Sequence, residues 1–416
     1  MGRATDSPRY SCISWNTARR ETRDWKWKVD VSMNQTIRLA HSFAENPREA
    51  AQEFHESVTQ PDMALVIFYC SNAYDLDVLT AEINRLFEGV QVVGCTTAGE
   101  IGPAGYREHS LTGVSFASDA CTAVSSHLDN LQRFNISEGQ AFCKKLSHEL
   151  EERVPQTSSP NAFAFLLIDG LSVREEPVSR VFQSALGKIP LVGGSAADGL
   201  RFGETYVFAD GSFRSDSVVL TLVSTPLPFK VFKTQHFVPT DERLVITEAD
   251  TDTRTVIEIN GLPAAREYAR LLGVDVQDVN PARFAASPVV VLIDGHNYVR
   301  SIQKVNPDGG MTFFCAIEEG LVLRIARGVN LVENLEQAFD SIAAEIGPPQ
   351  LVLGFDCILR RLEVVHNCLE DRVGRIFQSN NAVGFNTYGE QFRGVHINQT
   401  LSGVAIGAIS SDVENA

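Results

Sequence analysis

The chain runs to 416 residues, 44% of them apolar, with a formal net charge of −16. That is enough for two or three domains with their own cores, and too acidic to favour nucleic acid or an anionic membrane surface as a partner. No apolar run approaches the roughly 20 residues of a bilayer span, and eight scattered cysteines without a CxxC pair read as reduced thiols of a cytoplasmic chain.

Residues 1–32 are rich in Arg, Lys and Trp, but no apolar stretch follows them; the expectation is a flexible tail, not a secretory signal, with Met33 as an alternative start. Strands are expected at 36–44 and 64–70 around a helix from Pro47 to Val58. Asp75 can cap a helix that keeps Leu76, Leu79, Ile83, Leu86 and Phe87 at helical spacing, with Gly89 as its stop. Ser137 and Gln140 make a capping-box pattern for a polar helix reaching Arg153, and the Pro- and Ser-rich Val154 to Asn161 reads as a linker. A second module runs from Ala162 to about Val223. A strand-rich region follows Pro226; inside it Pro263 to Leu272 has helical spacing, and Asn306-Pro307-Asp308-Gly309 marks a hairpin turn. A third module occupies Gln350 to Ser410.

These modules carry one segment three times: Val93-Gly94-Cys95-Thr96-Thr97-Ala98-Gly99-Glu100, Val192-Gly193-Gly194-Ser195-Ala196-Ala197-Asp198-Gly199 and Val383-Gly384-Phe385-Asn386-Thr387-Tyr388-Gly389-Glu390. Each follows an apolar strand and an amphipathic stretch at the length of a βαβ unit, which predicts duplicated α/β modules with a parallel strand pair in each. The expected fold class is α/β with mixed sheets flanked by helices. The expected division is a tail at 1–32, an N-terminal domain at 33–190 and a C-terminal domain at 191–416; a single pseudo-threefold body is the alternative.

Side chains at strand ends face the usual ligand site of open α/β units. Cys70, Asp169, Asp356 and Cys357 stand there, and both aspartates can equally be plain helix caps. The third copy is the richest in polar groups: Asn386, Thr387, Tyr388 and Glu390 beside two glycines, then His396, Asn398 and Thr400. Among nine histidines, none lies in HExxH; His236, in an apolar strand before Pro239, and His396, between Val395 and Ile397, are the candidate iron ligands, followed by His366. No nucleophile elbow, phosphate loop or dinucleotide fingerprint occurs, so no catalytic residue is expected.

The first copy resembles the signature of the FIST N-terminal domain. Val192-Gly193-Gly194 with Ala197-Asp198, Gly261-Leu262-Pro263-Ala264 with Tyr268, Val299-Arg300, and Gly384 to Glu390 followed by Asn398-Gln399-Thr400 resemble the FIST C-terminal domain. The resemblance covers about residues 36 to 410. It implies a non-catalytic sensor of bacterial signal transduction that takes amino acids or other small molecules. A FIST chain without an attached kinase, cyclase or chemoreceptor domain is also similar to the nitric-oxide-sensing haemoproteins called NosP. That similarity implies b-type haem, nitric oxide as the ligand and a partner histidine kinase. On this expectation His236 and His396 are the metal ligands, and Tyr388, Glu390, Thr387 and Asn398 join them around the cofactor. A haem-free module binding a metabolite is the alternative, and homo-oligomerisation is left open.

Overall fold

The computed structural model describes residues 36–155, 161–293 and 295–408; the expected tail, and most of the expected linker, lie outside them. The first module contains β1 (Ile37–Ser42), α1 (Pro47–Val58), β2 (Met63–Ser71), α2 (Leu76–Leu86) and β3 (Val92–Thr97). A short hairpin, β4 (Glu100–Gly102) and β5 (Gly105–Arg107), then leads to β6 (Leu111–Ala117). The second module repeats this order: β7 (Thr122–Asp129), α3 (Ile136–Arg153), β8 (Ala162–Ile168), α4 (Glu175–Leu186), β9 (Leu191–Ser195), the hairpin β10 (Val207–Ala209) and β11 (Ser212–Arg214), and β12 (Ser217–Ser224).

The third begins with β13 (Phe229–Thr234) and is interrupted by an insertion. Its elements are β14 (Phe237–Asp250), β15 (Thr255–Ile259), β16 (Leu262–Pro263), α5 (Ala264–Leu272), α6 (Pro281–Ala286), β17 (Val289–Ile293), β18 (His296–Arg300), β19 (Ile302–Val305), β20 (Met311–Phe313) and β21 (Val322–Gly328). The module then resumes with α7 (Leu331–Ile346), β22 (Pro349–Cys357), α8 (Ile358–His366), α9 (Glu370–Ser379) and β23 (Ala382–Thr387). The hairpin β24 (Glu390–Phe392) and β25 (Val395–Ile397) and the closing β26 (Leu401–Gly407) complete it.

Each module builds a sheet around one parallel pair, β2 with β3, β8 with β9 and β22 with β23. Each then gives its hairpin to a neighbour. β10 pairs with β3, β24 with β9, and β4 with β23. The exchange closes after three steps, producing sheets in the orders β1-β6-β2-β3-β10-β11, β25-β24-β9-β8-β12-β7 and β13-β26-β22-β23-β4-β5.

The repeated Val-Gly has a physical reason here. Gly94, Gly193 and Gly384 stand opposite Phe68, Leu166 and Gly354 in the parallel pairs. A β-carbon on them would lie 2.5, 2.2 and 1.8 Å from the facing carbonyl oxygens. Only glycine lets the two backbones come this close.

The three sheets turn their inner faces to one shared core, where Tyr69, Phe165, Val192, Leu353, Phe355 and Phe385 meet. Their outer faces are covered by helices: α1 and α2 bury Phe54 and Leu79 against the first, α3 and α4 bury Leu146 and Phe182 against the second, and α7 and α9 bury Phe339 and Phe377 against the third. The insertion has a separate core around Tyr268, Phe284 and Leu323. The expected α/β class with mixed sheets flanked by helices is therefore observed.

Local expectations fare well at helix ends. α1 spans the expected residues, Asp75 caps α2 by accepting from the Val78 amide, and Gly273 takes a left-handed conformation after α5. The start of α3 differs: Asn135, not Ser137, is the N-cap and accepts from the Glu138 amide. Asn, like Ser, has a side-chain oxygen that reaches the second or third amide, so two candidates two residues apart compete. Neither strand-end aspartate caps a helix. Asp169 accepts from the Leu171 and Asp216 amides and the Thr205 hydroxyl, tying the β8 end to the loop before β10.

Candidate functional site

The third copy folds into β23, the hairpin β24–β25 and the turn into β26; the hairpin pairs with β9 of the second module and is contacted by Arg300 of the insertion. Its polar side chains are buried, and they separate into three groups. Glu390 is closed off: the hydroxyls of Thr387 and Thr400 donate to its two oxygens at 2.5 and 2.7 Å. Burial pushes this carboxyl up to about 8, against the pull of those hydrogen bonds. Glu100 in the first copy has the same clamp, from Thr97 at 2.5 Å and Ser110 at 2.6 Å, and burial raises it to about 7. Glu390 and Thr387 thus have a structural role that recurs at the equivalent place in another module. Tyr388 forms the second group. Its hydroxyl donates to Asp198, and Phe202 stacks on its ring at a centroid distance of 4.6 Å. Asp198 in turn accepts from the amides of Phe202, Gly203 and Glu204, so it organises the loop that covers Tyr388.

His396 belongs to the third group. Gln391 Nε2 donates to Ser195 Oγ at 2.9 Å and lies 3.1 Å from His396 Nδ1. The other ring nitrogen, Nε2, is buried and makes no hydrogen bond of good geometry, and the Phe314 carbonyl is the acceptor that acts on the ring. Asn398 Nδ2, Gln391 Oε1 and Arg300 Nε are also buried and unpartnered. The insertion locks onto this turn: Arg300 Nη1 donates to the His396 carbonyl at 2.8 Å, the Ser301 amide to Asn398 Oδ1 at 3.4 Å, and Gln399 Nε2 to the Ala285 carbonyl at 2.9 Å. Burial drives the His396 imidazole down to about 4; Glu176 and the Phe314 carbonyl act in the opposite sense, and Arg254 and Arg300 reinforce the fall. Arg254 is held by Glu175 at 2.7 Å and Glu176 at 2.5 Å.

His236 is placed elsewhere. Its Nε2 faces both oxygens of Glu363 at 2.9 Å and its Nδ1 faces Arg360 at 3.1 Å. Arg360 reaches Asp356 at 2.7 Å, and Tyr106 donates to the same carboxylate. His236 and His396, each a candidate iron ligand from its own local context, lie in different parts of the fold.

The positions also do not fit haem as arranged. An axial histidine needs one free ring nitrogen facing an apolar pocket. Both nitrogens of His236 are engaged by charged groups, and His396 stands among the polar groups of Gln391 and Arg300 instead of facing an apolar pocket. His366 lines a cavity of about 270 Å³ with Asn280, Arg283 and Ala286. Cys357 is buried and its thiol is pushed well up by burial, the state of a small core residue.

Residues 64–262 match the FIST N domain and residues 264–393 the FIST C domain. The chain is a FIST-domain protein. FIST domains suggest a sensory role in signal transduction and are generally non-catalytic. An uncharacterized protein of Methanocaldococcus jannaschii is 23% identical over 242 residues, 56% of this FIST chain and 46% of the relative, so the match spans about half of that protein. Among solved structures, a chorismatase crystal structure aligns with 89% of this chain and 98% of its own at 10% identity, with a TM-score of 0.34 that carries no argument about function. Among the described residues of the FIST protein, no helix is long and apolar enough to cross a membrane.

The groups missed in the sequence were Arg300 and Gln391. Arg300 was visible in the Val299-Arg300 pair but sits about a hundred residues from His396, so only the fold joins them. Gln391 follows Glu390 directly and alternates to the opposite face of β24. Its neighbour's carboxylate drew the attention.

Proposed function

We propose that this FIST protein is a haem-free sensory module that binds a small polar metabolite at the β24–β25 hairpin and signals through a partner protein, for which the resemblance suggests a histidine kinase. One observation supports it. His396, Asn398, Gln391 and Arg300 each keep a buried polar atom without a partner within one turn and the residue that locks onto it, whereas Glu390 beside them is bonded by Thr387 and Thr400. Buried donors and acceptors of this kind cost about 1–3 kcal/mol each when unmade, and a ligand that satisfies them recovers that cost. The hairpin is held on one side by β9 and on the other by Arg300 of the insertion, while Ser301 and Ala285 hold the Asn398-Gln399 turn that follows it. A ligand entering between them shifts the equilibrium between closed and opened arrangements by its differential affinity, which is what a sensor needs.

The test is a thermal-shift screen of polar metabolites against the full chain and Gly389→Ala. A ligand that raises the unfolding temperature of the parent but not the variant supports the reading. Absence of any such ligand sinks it. Haem added to the apoprotein supplies the counter-test: a Soret band lost in His236→Ala or His396→Ala restores the haem reading.

A further inference from the structure

We infer a second binding site, for a small oxyanion, in the cavity between α6 of the insertion and the C-terminal end of α8 in the third module, with Arg283 as its principal donor and Asn280 and His366 beside it. No residue of the β24–β25 hairpin lines this cavity, so the inference does not rest on the reading above.

Helical spacing assembles the site. Asn280 is the N-cap of α6, and Arg283 and Ala286 follow it at three-residue steps, so the short helix presents all three on one side. His366, the last residue of α8, closes the space from the other side. The four residues enclose about 270 Å³. That is just under the roughly 300–1,000 Å³ of pockets that take whole drug-sized ligands, so the space suits a small free anion or the anionic end of a larger molecule.

Counting hydrogen bonds leaves donors in this lining. Asn280 Oδ1 accepts from the Arg283 amide at 3.1 Å, so its free atom is the NH₂ nitrogen. Arginine has donors only. The Arg283 guanidinium makes no hydrogen bond and no ion pair among the described residues, and its Nε is buried. The His366 imidazole offers an N–H in either neutral tautomer. Ala286, the remaining wall, adds a methyl group and no competing side-chain acceptor.

The charges agree. No carboxylate lines the cavity, and the acidic groups nearest in sequence are committed or turned to solvent. Glu363, one turn before His366, faces His236; Glu267 is held by Arg270 and Asn260; Asp275 accepts from the Gln277 amide; and Asp278 is exposed. Arg283 is thus an uncompensated guanidinium in a chain of net charge −16. Its planar fork matches two oxygens of a carboxylate or phosphoryl group, and charge-assisted bonds of this type are the strong ones. Because the walls come from both the insertion and the third module, an anion held there would tie the two together.

The experiment uses the full chain and ligand-observed NMR titrations with inorganic phosphate, acetate and acetamide. The expected result is binding of phosphate or acetate at least about tenfold tighter than of acetamide, and the order of the two anions separates a phosphoryl from a carboxylate ligand. Arg283→Gln weakens the preferred anion by about tenfold or more. Arg283→Lys, which keeps the charge without the fork, weakens it less. The Arg283 guanidinium has no protein partner to lose, so both variants keep the fold, which circular dichroism checks. Arg372→Gln, at an exposed ion pair with Glu336, changes nothing. Hydrogen exchange gives a second readout: the anion slows exchange in α6 and the last turn of α8 of the parent, and not of Arg283→Gln. Acetamide binding as tightly as the anions, an unaltered anion affinity in folded Arg283→Gln, or no binding of either anion overturns the inference. Anion binding lost in Gly389→Ala but kept in Arg283→Gln overturns it as well, and assigns the anion to the hairpin.

Discussion

The imidazole of His396 rests on the bare α-carbon of Gly389: a β-carbon there would come within 2.2 Å of Cε1 and 2.6 Å of Nε2. The blocking atoms are the outer end of the ring, but Gln391 and the Arg300 contact to its backbone hold the residue from both sides and keep that end from swinging away. Gly389→Ala should therefore push the ring off its position at a cost of about 1–3 kcal/mol. Chemical denaturation measures that loss, and ¹⁵N-imidazole shifts should report a changed Nδ1 environment.

Two glycines face each other across β22 and β23, and their tolerance should differ. Gly384 has the Gly354 oxygen 1.8 Å from where a β-carbon would go, whereas a β-carbon on Gly354 meets nothing closer than Leu401 Cδ1 at 3.5 Å. Gly384→Ala should destabilise by about 3 kcal/mol or prevent folding, and Gly354→Ala should stay within about 1 kcal/mol. Similar midpoints for the two in urea would contradict the register.

Arg360 lies fully inside the protein between Asp356 and His236. Removing it in Arg360→Met strands the buried Asp356 carboxylate with Tyr106 and Asn386 as its remaining donors. A loss of about 3–5 kcal/mol is expected, as for other broken buried pairs. Arg360→Met with Asp356→Asn should recover a large part of it, measured as a double-mutant cycle.

Stability should fall as pH rises from about 6.5 to about 8. Glu100 and Glu390 are raised to about 7 and about 8 by burial, so the folded state binds protons that the unfolded chain, titrating near 4.5, has already released; their contribution is present at low pH and is lost as pH climbs through the folded values. His41 and His396 are depressed to about 3 and about 4. They act oppositely, losing stability as pH drops below their unfolded value of 6.5, and they are silent above it. The paired substitution Glu100→Gln with Glu390→Gln should reduce the slope of the unfolding temperature over that upper window, leaving the share of Glu175, which burial also raises to about 7. An unchanged slope would refute the assignment.

Much of this architecture is legible in the residues. The three Val-Gly segments announce three βαβ units, and helix ends at Asp75 and Gly273 follow from local capping chemistry. The hairpin exchange is not legible, because the pairing of Glu100 with Phe385, or of Glu390 with Gly194, depends on closure in space and leaves no periodic trace. The same holds for the site. The third copy concentrates polar groups and several of its buried atoms lack partners, yet composition could not tell the satisfied Glu390 from the unsatisfied Asn398. The two histidines were linked only by their apolar neighbours, a feature shared by any buried histidine.

The lending of hairpins also bears on ancestry and on how the chain can be cut. A head-to-tail contact that closes after three steps is the geometry of a cyclic trimer, here spelled out within one polypeptide. Any fragment holding a single module would keep its own parallel pair but leave β3, β9 or β23 with a bare edge and a hairpin lacking a host. Such a fragment is expected to recover its missing partners only by assembling in threes, so the covalent links between modules serve chiefly to let the three become different. The divergence is already visible in the equivalent hairpin positions: a tyrosine bonded to Asp356 in one, a histidine with a free nitrogen in another.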